Sequence, residues 1–390
     1  MRLFYGALLC ASALSVHANV IQYFAGISYN NPSELFKVKK YQFILGDTLS
    51  YADLRFTGNA LNFNTFTYGS GINHSRTFTS MPYGRAAKRL NKKLVFAVDV
   101  TQPFNSNLNW GNTAFTRYAV TQNYLRDVDI SPKISYSMNK KLQLGAGINF
   151  NYVLNNEINW AYPTSPTTYG ILTNPTHSFG VGYNLGLTYL FDKSNFLSLT
   201  YYSRIRQNTQ GISRLGNLIN PNLNLSFFMP ATTILGYTHI FNKYWLISLQ
   251  GFLSQWDVNQ EVRVNNTAVP PPNQNFRFDL SFSKSYALQA ALRAQMNKKL
   301  GLAFVGMIDD GPEKNHLRTI VFPSATQYLV GLAADYHFNK HTTLELLAAH
   351  VFSWPSINNR VIVDGISMPF TTGAVNINVE VLDLRLKVEF

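Results

Sequence analysis

The chain has 390 residues, a single cysteine and 14% charged residues, with 33 Lys and Arg against 20 Asp and Glu for a formal charge of +13. One cysteine excludes an internal disulfide framework and thiolate metal sites. The basic residues are scattered over turns and loops without a recognition motif, which argues against nucleic acid and for solvated turns, with anionic lipid headgroups as a secondary partner.

Residues 1–18 read as a secretory leader: Arg2, an apolar stretch through Leu14, then Val16-His17-Ala18 as a small-residue cleavage site that leaves Asn19 first. A lipoprotein leader ending at Cys10 is the rival reading, but Leu9 occupies a position that usually holds a small residue. No later apolar run reaches the roughly 18 residues of a spanning helix. Residues 19–39 lack clean alternation, hold Asn30-Asn31-Pro32, and are read as a short segment outside the barrel wall described next.

From residue 40 to the end the pattern is that of strands. Leu142, Leu144, Ala146, Ile148, Phe150, Tyr152 and Leu154 share one face, against Gln143, Gly145, Gly147, Asn149, Asn151, Val153 and Asn155. Residues 178–191 repeat the pattern, and 276–296 form the longest alternating run. Successive strand side chains face opposite ways, so such runs put apolar residues on one side. Six short turns recur between these runs: Asn91-Lys92-Lys93, Asn139-Lys140-Lys141, Asp192-Lys193, Asn242-Lys243, Asn297-Lys298-Lys299 and Asn339-Lys340. Asn and Asp suit tight turns because they tolerate left-handed backbone angles. The intervening polar stretches, 59–76, 106–122, 156–176, 210–224, 262–275, 309–324 and 355–374, read as longer loops on the other rim. Most prolines lie there, including Pro270-Pro271-Pro272, where a missing amide proton costs nothing.

Six turns separate seven hairpins, so the expected fold class is all-β: a transmembrane antiparallel β-barrel of about fourteen strands over residues 40–390. A soluble sandwich also alternates, but its strands are commonly about five or six residues. Many here exceed the roughly 9–11 that a tilted strand needs to cross a bilayer. The mean hydropathy of −0.07 fits one apolar and one polar face, and the 14% aromatic content fits girdles at the two interfaces. The bland alternative is that these aromatic residues fill a core.

With the topology placed, several stretches resemble the FadL-type outer-membrane transporters of long-chain fatty acids and other hydrophobic compounds. Asn31-Pro32-Ser33-Glu34-Leu35 resembles that family's hatch motif. Val98-Asp99-Val100-Thr101-Gln102-Pro103-Phe104 and Asp129-Ile130-Ser131-Pro132-Lys133-Ile134-Ser135-Tyr136 resemble its third and fourth strands, and Leu144 to Phe150 its fifth. Leu199 to Arg206 and Pro230 to Tyr237 resemble its seventh and eighth strands. The resemblance implies a barrel in the bacterial outer membrane, plugged within the lumen by an N-terminal hatch. It implies capture of an apolar ligand from outside and passive release sideways at a kinked third strand. By position, Asn31, Pro32 and Ser33 are the hatch motif, and Thr101, Gln102, Pro103, Phe104 and Asn105 span the kink and lateral opening. Pro103 removes one ladder bond, which suits a kink; equally, it could simply end a strand at the loop. Ser33 stands where the family usually has alanine, and fewer residues precede the motif than usual, so a leakier plug is expected.

A fatty acid needs a cation or donors for its carboxylate. Arg277, Arg204, Arg206 and Arg293 are the headgroup candidates, although an inward Arg in a barrel more often pairs with an inward carboxylate such as Asp279. Catalysis has little support: the eight His are scattered, with no H-E-x-x-H and no G-x-S-x-G, and no cofactor or metal is expected. Phe390 resembles the aromatic terminus read by the barrel-assembly machinery, and family resemblance implies a monomer. The expected function is therefore an outer-membrane channel for long-chain fatty acids or similar compounds, crossing the polar lipopolysaccharide layer. The alternatives are a nonspecific aqueous porin and a structural or adhesion barrel with ligand-binding loops. Inward-facing Val153, Leu190, Ala287, Ala291, Leu329 and Ala333 argue against the porin.

Overall fold

The structure, a computed structural model, describes residues 26–315, 317–363 and 366–390. The leader and the first residues of the 19–39 segment lie outside the described residues. A 3-10 turn, Pro32–Lys37, precedes the barrel wall. The wall begins with β1 (Tyr41–Asn62), β2 (Thr67–Arg89), β3 (Leu94–Thr101), β4 (Asn105–Asn109), β5 (Gln122–Ser137), β6 (Leu142–Pro163) and β7 (Tyr169–Thr173). It continues with β8 (Pro175–Leu190), β9 (Asn195–Tyr202), β10 (Ile205–Leu215), β11 (Leu218–Met229), β12 (Thr232–Ile240), β13 (Trp245–Ser254) and β14 (Glu261–Asn265). It ends with β15 (Phe276–Asp279), β16 (Ser285–Gln295), β17 (Leu300–Asp309), β18 (Gln327–His337), β19 (Thr342–Ser353), β20 (Ser356–Val363) and β21 (Ile366–Glu389).

All belong to one antiparallel sheet that closes on itself. From β1 the pairing runs through β2, β3, β5, β6, β8 and β9. It then passes through β12, β13, β16, β17, β18 and β19 to β21, which returns to β1. The ends of the chain complete the seam: Tyr41 and Phe390 exchange backbone hydrogen bonds of 3.2 and 2.9 Å. Closure satisfies every edge, which is what makes a β structure tolerable in lipid. Among the described residues no helix is long and apolar enough to cross a membrane.

The expectation of about fourteen unbroken strands needs correcting: the closing circuit passes through fourteen segments, and seven more lie beside or beyond them. The sheet contains 21 strand segments, with walls broken at 102–104, 203–204, 230–231 and 280–284. The long alternating run from 276 to 296 is likewise two segments, with Ser281 at φ 43° in the break. The long outer loops also shrink. β1 and β2 continue to a turn at 63–66, and β10 and β11 meet at 216–217. Polar residues there still pair in the ladder; only the side-chain alternation used to find strands had faded.

The six short turns work differently from the left-handed angles expected of them. None of their residues has a positive φ. Instead the side-chain oxygen of the Asn or Asp accepts from the amides two and three residues on. Asn139 Oδ1 takes Lys141 N at 2.7 Å and Leu142 N at 2.9 Å, and Asn91, Asp192, Asn242, Asn297 and Asn339 do the same. These are Asx turns, the other reason such residues favour reversals.

Outward positions carry the apolar band. Leu144, Ile148 and Tyr152 on β6 are exposed, while Gln143, Asn149 and Asn151 are buried inside. Exposed and half-buried aromatic residues gather towards the ends of the strands, with Tyr189, Phe191, Tyr336 and Phe338 beside the short turns and Tyr328, Phe352 and Trp354 at the other end. Higher in the lumen the inward face changes character. Beyond Asn151, β6 turns Val153, Ile158 and Trp160 inward, into a large apolar cluster with Phe56, Leu172, Phe227 and Phe278. The 110–121 and 317–325 segments fold onto this cluster: Trp110 Nε1 donates to Ile320 O at 3.1 Å, and Asn123 Nδ2 to Val321 O at 3.2 Å.

Two changes at the terminus separate closure from recognition. Deleting Phe390 removes both closing bonds with Tyr41, whereas Phe390→Ala keeps them and removes the ring that stacks on His341. We expect the deletion to lower the yield of heat-modifiable barrel in a purified lipid refolding assay, and Phe390→Ala to lower it only in cells; loss in both settings for both variants would show that the ring itself closes the barrel.

Candidate functional site

Asn31 and Pro32 start the 3-10 turn in a way their chemistry dictates. Asn31 is its cap, its Oδ1 accepting from Ser33 N at 2.9 Å, and Pro32 occupies a first-turn position where no amide proton is missed. The same side chain then docks the turn on the wall: Asn31 Nδ2 donates to Leu187 O at 3.1 Å. Ser33 Oγ lies 2.7 Å from Thr188 Oγ1, and Ser135 Oγ donates to Ser33 O at 2.9 Å. The seat itself is a pair of directly opposed glycines, Gly145 on β6 and Gly186 on β8. A Cβ on Gly145 would overlap the Ser33 backbone, and one on Gly186 would overlap Asn31 and Pro32. The specific partner of these two inward glycines is set by the tertiary fold alone.

A second grip holds the segment at Gly26. Asp383 Oδ2 accepts Gly26 N at 3.1 Å, and Arg385 Nη2 donates to Gly26 O at 2.8 Å. Thr48 and Tyr83 donate to Asp383 at 2.6 and 2.9 Å, and Glu345 accepts from Arg385 at 3.0 Å. Between the two grips, Tyr202 donates its hydroxyl to Asn30 O at 2.8 Å and receives Lys133 Nζ at 3.2 Å. Lys133 is fully interior and pairs with Asp99 at 2.8 Å, which also takes Arg85 at 2.6 Å. Two cations sharing one carboxylate, all away from water, make a rigid pivot in which loss of Asp99 would leave both cations without their shared counter-charge.

Directly above Asp99 the wall breaks. β3 pairs with β5 as far as Thr101 opposite Asp129, and pairing resumes with Asn105 opposite Arg126. Between them Gln102, Pro103 and Phe104 leave the ladder, and Phe104 N is taken instead by buried Asp127 Oδ1 at 2.9 Å. Towards β2 the ladder ends at Val100 opposite Gly84. Beyond that point side chains bridge the seam: Thr77 Oγ1 donates to Asn107 O at 2.6 Å, and Asn109 N donates to Ser75 Oγ at 2.8 Å. Around Pro103 the strand stops at Thr101 and resumes at Asn105.

The lumen between these features is narrow. A cavity of about 20 Å³ is lined by Tyr29 of the N-terminal segment, by Thr101, Pro103 and Phe104 of the break, and by Tyr202 and Ile205 opposite. Below lie two roomier polar spaces, of about 220 and 470 Å³, which share Gln289 and Arg385. The outer end is occupied by the apolar cluster. Among the described residues no group of His, Cys, Asp and Glu is placed to hold a metal ion.

The four arginines singled out from the sequence do not converge. Arg277 projects from the face opposite to buried Phe276 and Phe278 and pairs with Glu261 at 2.7 Å, not with Asp279. Arg204 and Arg206 also lie on the exposed face, both over the Phe228 ring at 5.5 and 5.9 Å, without a carboxylate partner among the described residues. Only Arg293 lines the lumen, in the lower polar space, as a fork onto Asp335 at 2.9 Å through both Nε and Nη2. The sequence pattern missed Arg385, Asp383 and Lys133 as anchors, although their inward positions in β21 and β5 were legible.

These elements make a closed barrel with an N-terminal segment docked on its inner wall and a break in one strand. Residues 10–390 match the family described as outer membrane protein transport protein (OMPP1/FadL/TodX), and the chain belongs to that family. A curated relative, the long-chain fatty acid transport protein of Escherichia coli, is 21% identical over 309 residues, covering 64% of this chain and 67% of that one. Among solved structures, a Pseudomonas aeruginosa FadL homologue superposes with a TM-score of 0.81 at 14% identity, over 98% of this chain and all of the other. The Pseudomonas putida toluene transporter TodX does so at 0.67 and 15% identity, over 98% and 97% of the two chains. The protein is thus a bacterial outer-membrane barrel of a family of channels for hydrophobic compounds.

The seat and the pivot make separable predictions. Gly186→Val should displace the segment while the barrel stays closed; overpacking of about 1–3 kcal/mol raises its undocked population by about fivefold to a hundredfold, read as faster limited proteolysis between residues 26 and 40 with unchanged heat-modifiability. Asp99→Asn should cost the whole barrel about 3 kcal/mol, because Lys133 and Arg85 then lose their shared carboxylate, and denaturant unfolding in lipid vesicles measures it.

Proposed function

We propose that this protein takes up long-chain fatty acids or similarly apolar compounds by passive diffusion, with residues 26–39 as a hatch and the break at 101–105 as the lateral exit. The observation that carries this reading is the shared cavity: the N-terminal segment and the broken strand line the same small space. Undocking Asn31 to Ser33 from its glycine seat widens that space on the side where the wall already lacks a ladder. An apolar solute then leaves into lipid instead of crossing the polar lower lumen. The curated fatty acid transporter and the toluene transporter both support an apolar cargo, and they favour testing two sizes of it.

In this reading Phe390 also serves as an assembly signal, and the barrel works as a monomer. Arg204 and Arg206 stand as the stronger headgroup candidates over Arg277 and Arg293, whose charges already have carboxylate partners. The porin reading fares worse, because the upper lumen is filled by apolar side chains. The adhesion reading has no observation of its own in the structure.

Uptake of oleate and of toluene by a carrier-deficient Gram-negative strain tests the proposal. We expect the full chain to restore at least one, and Pro103→Ala, which returns an amide donor to the strand, to reduce it severalfold. Normal uptake by an assembled Pro103→Ala barrel would argue against the break as the exit, and a rise in small-sugar permeability with no apolar uptake would favour the porin.

A further inference from the structure

The wall is weak in a second place that faces the same cavity. β8 pairs with β9 down to Asn184 opposite Tyr202, and pairs with β10 again only at His177 opposite Gln210. Among the described residues no ladder pair joins 178–183 to 203–209. Tyr183 is held to Ser203 by two bonds of 2.8 Å, one from its own amide to Ser203 Oγ and one into its carbonyl from Ser203 N. Val181 and Phe179 pair with Phe150 and Tyr152 of β6 but have no ladder pair on the β9–β10 side. Both side chains are about half exposed, at 53 and 50%, within the outward apolar band. At that depth a backbone group left without a partner costs several kcal/mol, so a gap in the ladder is a weak place in the wall.

The inner side of the seam is covered by Ile205 and, above it, by buried Gln207, whose Oε1 accepts from Ser178 Oγ at 2.7 Å. Gly180 and Gly182 turn their bare faces inward, and Ile205 lies across both; a Cβ on either glycine would collide with it. Ile205 is buried and lines the cavity together with Tyr202, Ser203, Met229 and Pro230, opposite Thr101, Pro103 and Phe104. Outside, Arg204 and Arg206 flank the mouth over Phe228. Outward positions change character at this level: Tyr201 and Leu199 lie below, while Asn208, Gln210 and Ser226 lie above. The seam therefore opens at the boundary between apolar band and polar surface.

We propose that the barrel has a second lateral exit, between β8 and the β9–β10 wall at 178–183 and 203–209, closed at rest by Ile205 and suited to an amphiphile with an anionic head. The tail leaves between Phe179, Val181 and Tyr183, while the head meets Arg204 and Arg206. Two exits from one cavity let a docked or displaced N-terminal segment choose between routes, since Tyr29 and Tyr202 pack ring against ring at 4.9 Å beside both. The inference rests on lateral release as the mode of transport.

The test is photolabelling of the full chain in phospholipid nanodiscs with a fatty acid carrying a diazirine at its tail, counting only label competed away by excess oleate. We expect two labelled clusters, one at 101–105 and one at 179–183 with 203–206. Ile205→Trp should cut the second severalfold and leave the first, and Ile205→Ala should raise it, both in barrels shown to be heat-modifiable. Labelling confined to 101–105, or a second cluster indifferent to both substitutions, overturns the second exit and leaves the first standing. Absence of competed label from both clusters overturns lateral release altogether.

Discussion

Every backbone amide and carbonyl facing lipid must find a partner in the sheet, and the rest of this protein is arranged around that demand. The demand is met by a circuit of antiparallel pairs that ends where it begins, with Phe390 bonded to Tyr41. Where the circuit is interrupted, something specific takes over. Asp127 receives the amide of Phe104 at one break, and Ser203 serves Tyr183 at the other. These substitutions are local and costly to arrange, which is why the breaks stand out against an otherwise regular wall.

The interior is divided by the same logic. Inward side chains are shielded from lipid but not from one another, so polar ones must be satisfied by neighbours. In the lower half they form a connected set: Lys133 with Asp99 and Tyr202, Asn151 with Asp127, Gln207 with Asn151. This set ends on the backbone of the N-terminal segment, through Tyr202 and Asn30. In the upper half apolar side chains fill the lumen and need no such matching. The segment thus sits at the junction of a polar network and an apolar plug, the place where a small displacement changes what an entering molecule meets.

Much of the fold was legible from the chain. The six Asx turns announced themselves because each repeats one residue type between alternating runs, and the apolar outward face of β6 and β8 followed from period two. The breaks were less legible. Pro103 marked one, since proline cannot donate to a ladder, but Ser203-Arg204 carries no such mark, and the run from 276 to 296 alternates straight through its own interruption. The outer strand extensions were read as loops because both of their faces mix polar and apolar residues once the lumen turns apolar. Among site residues, Asn31 to Ser33 could be singled out by motif, whereas the roles of Gly145 and Gly186 depend on a contact across more than a hundred residues.

The sequence by itself determined the class of architecture: alternation, turn chemistry and the absence of long apolar runs all act over a few residues, and they permit little besides a membrane barrel. Only the tertiary structure decided which inward charges are anchors, that Arg277 and Arg206 face away from the lumen, and which wall seams open onto the same cavity as the N-terminal segment. The physical reason is range. A strand's faces are set by its own residues, but the partner of an inward side chain is set by the curvature and register of the closed sheet, which no local pattern encodes.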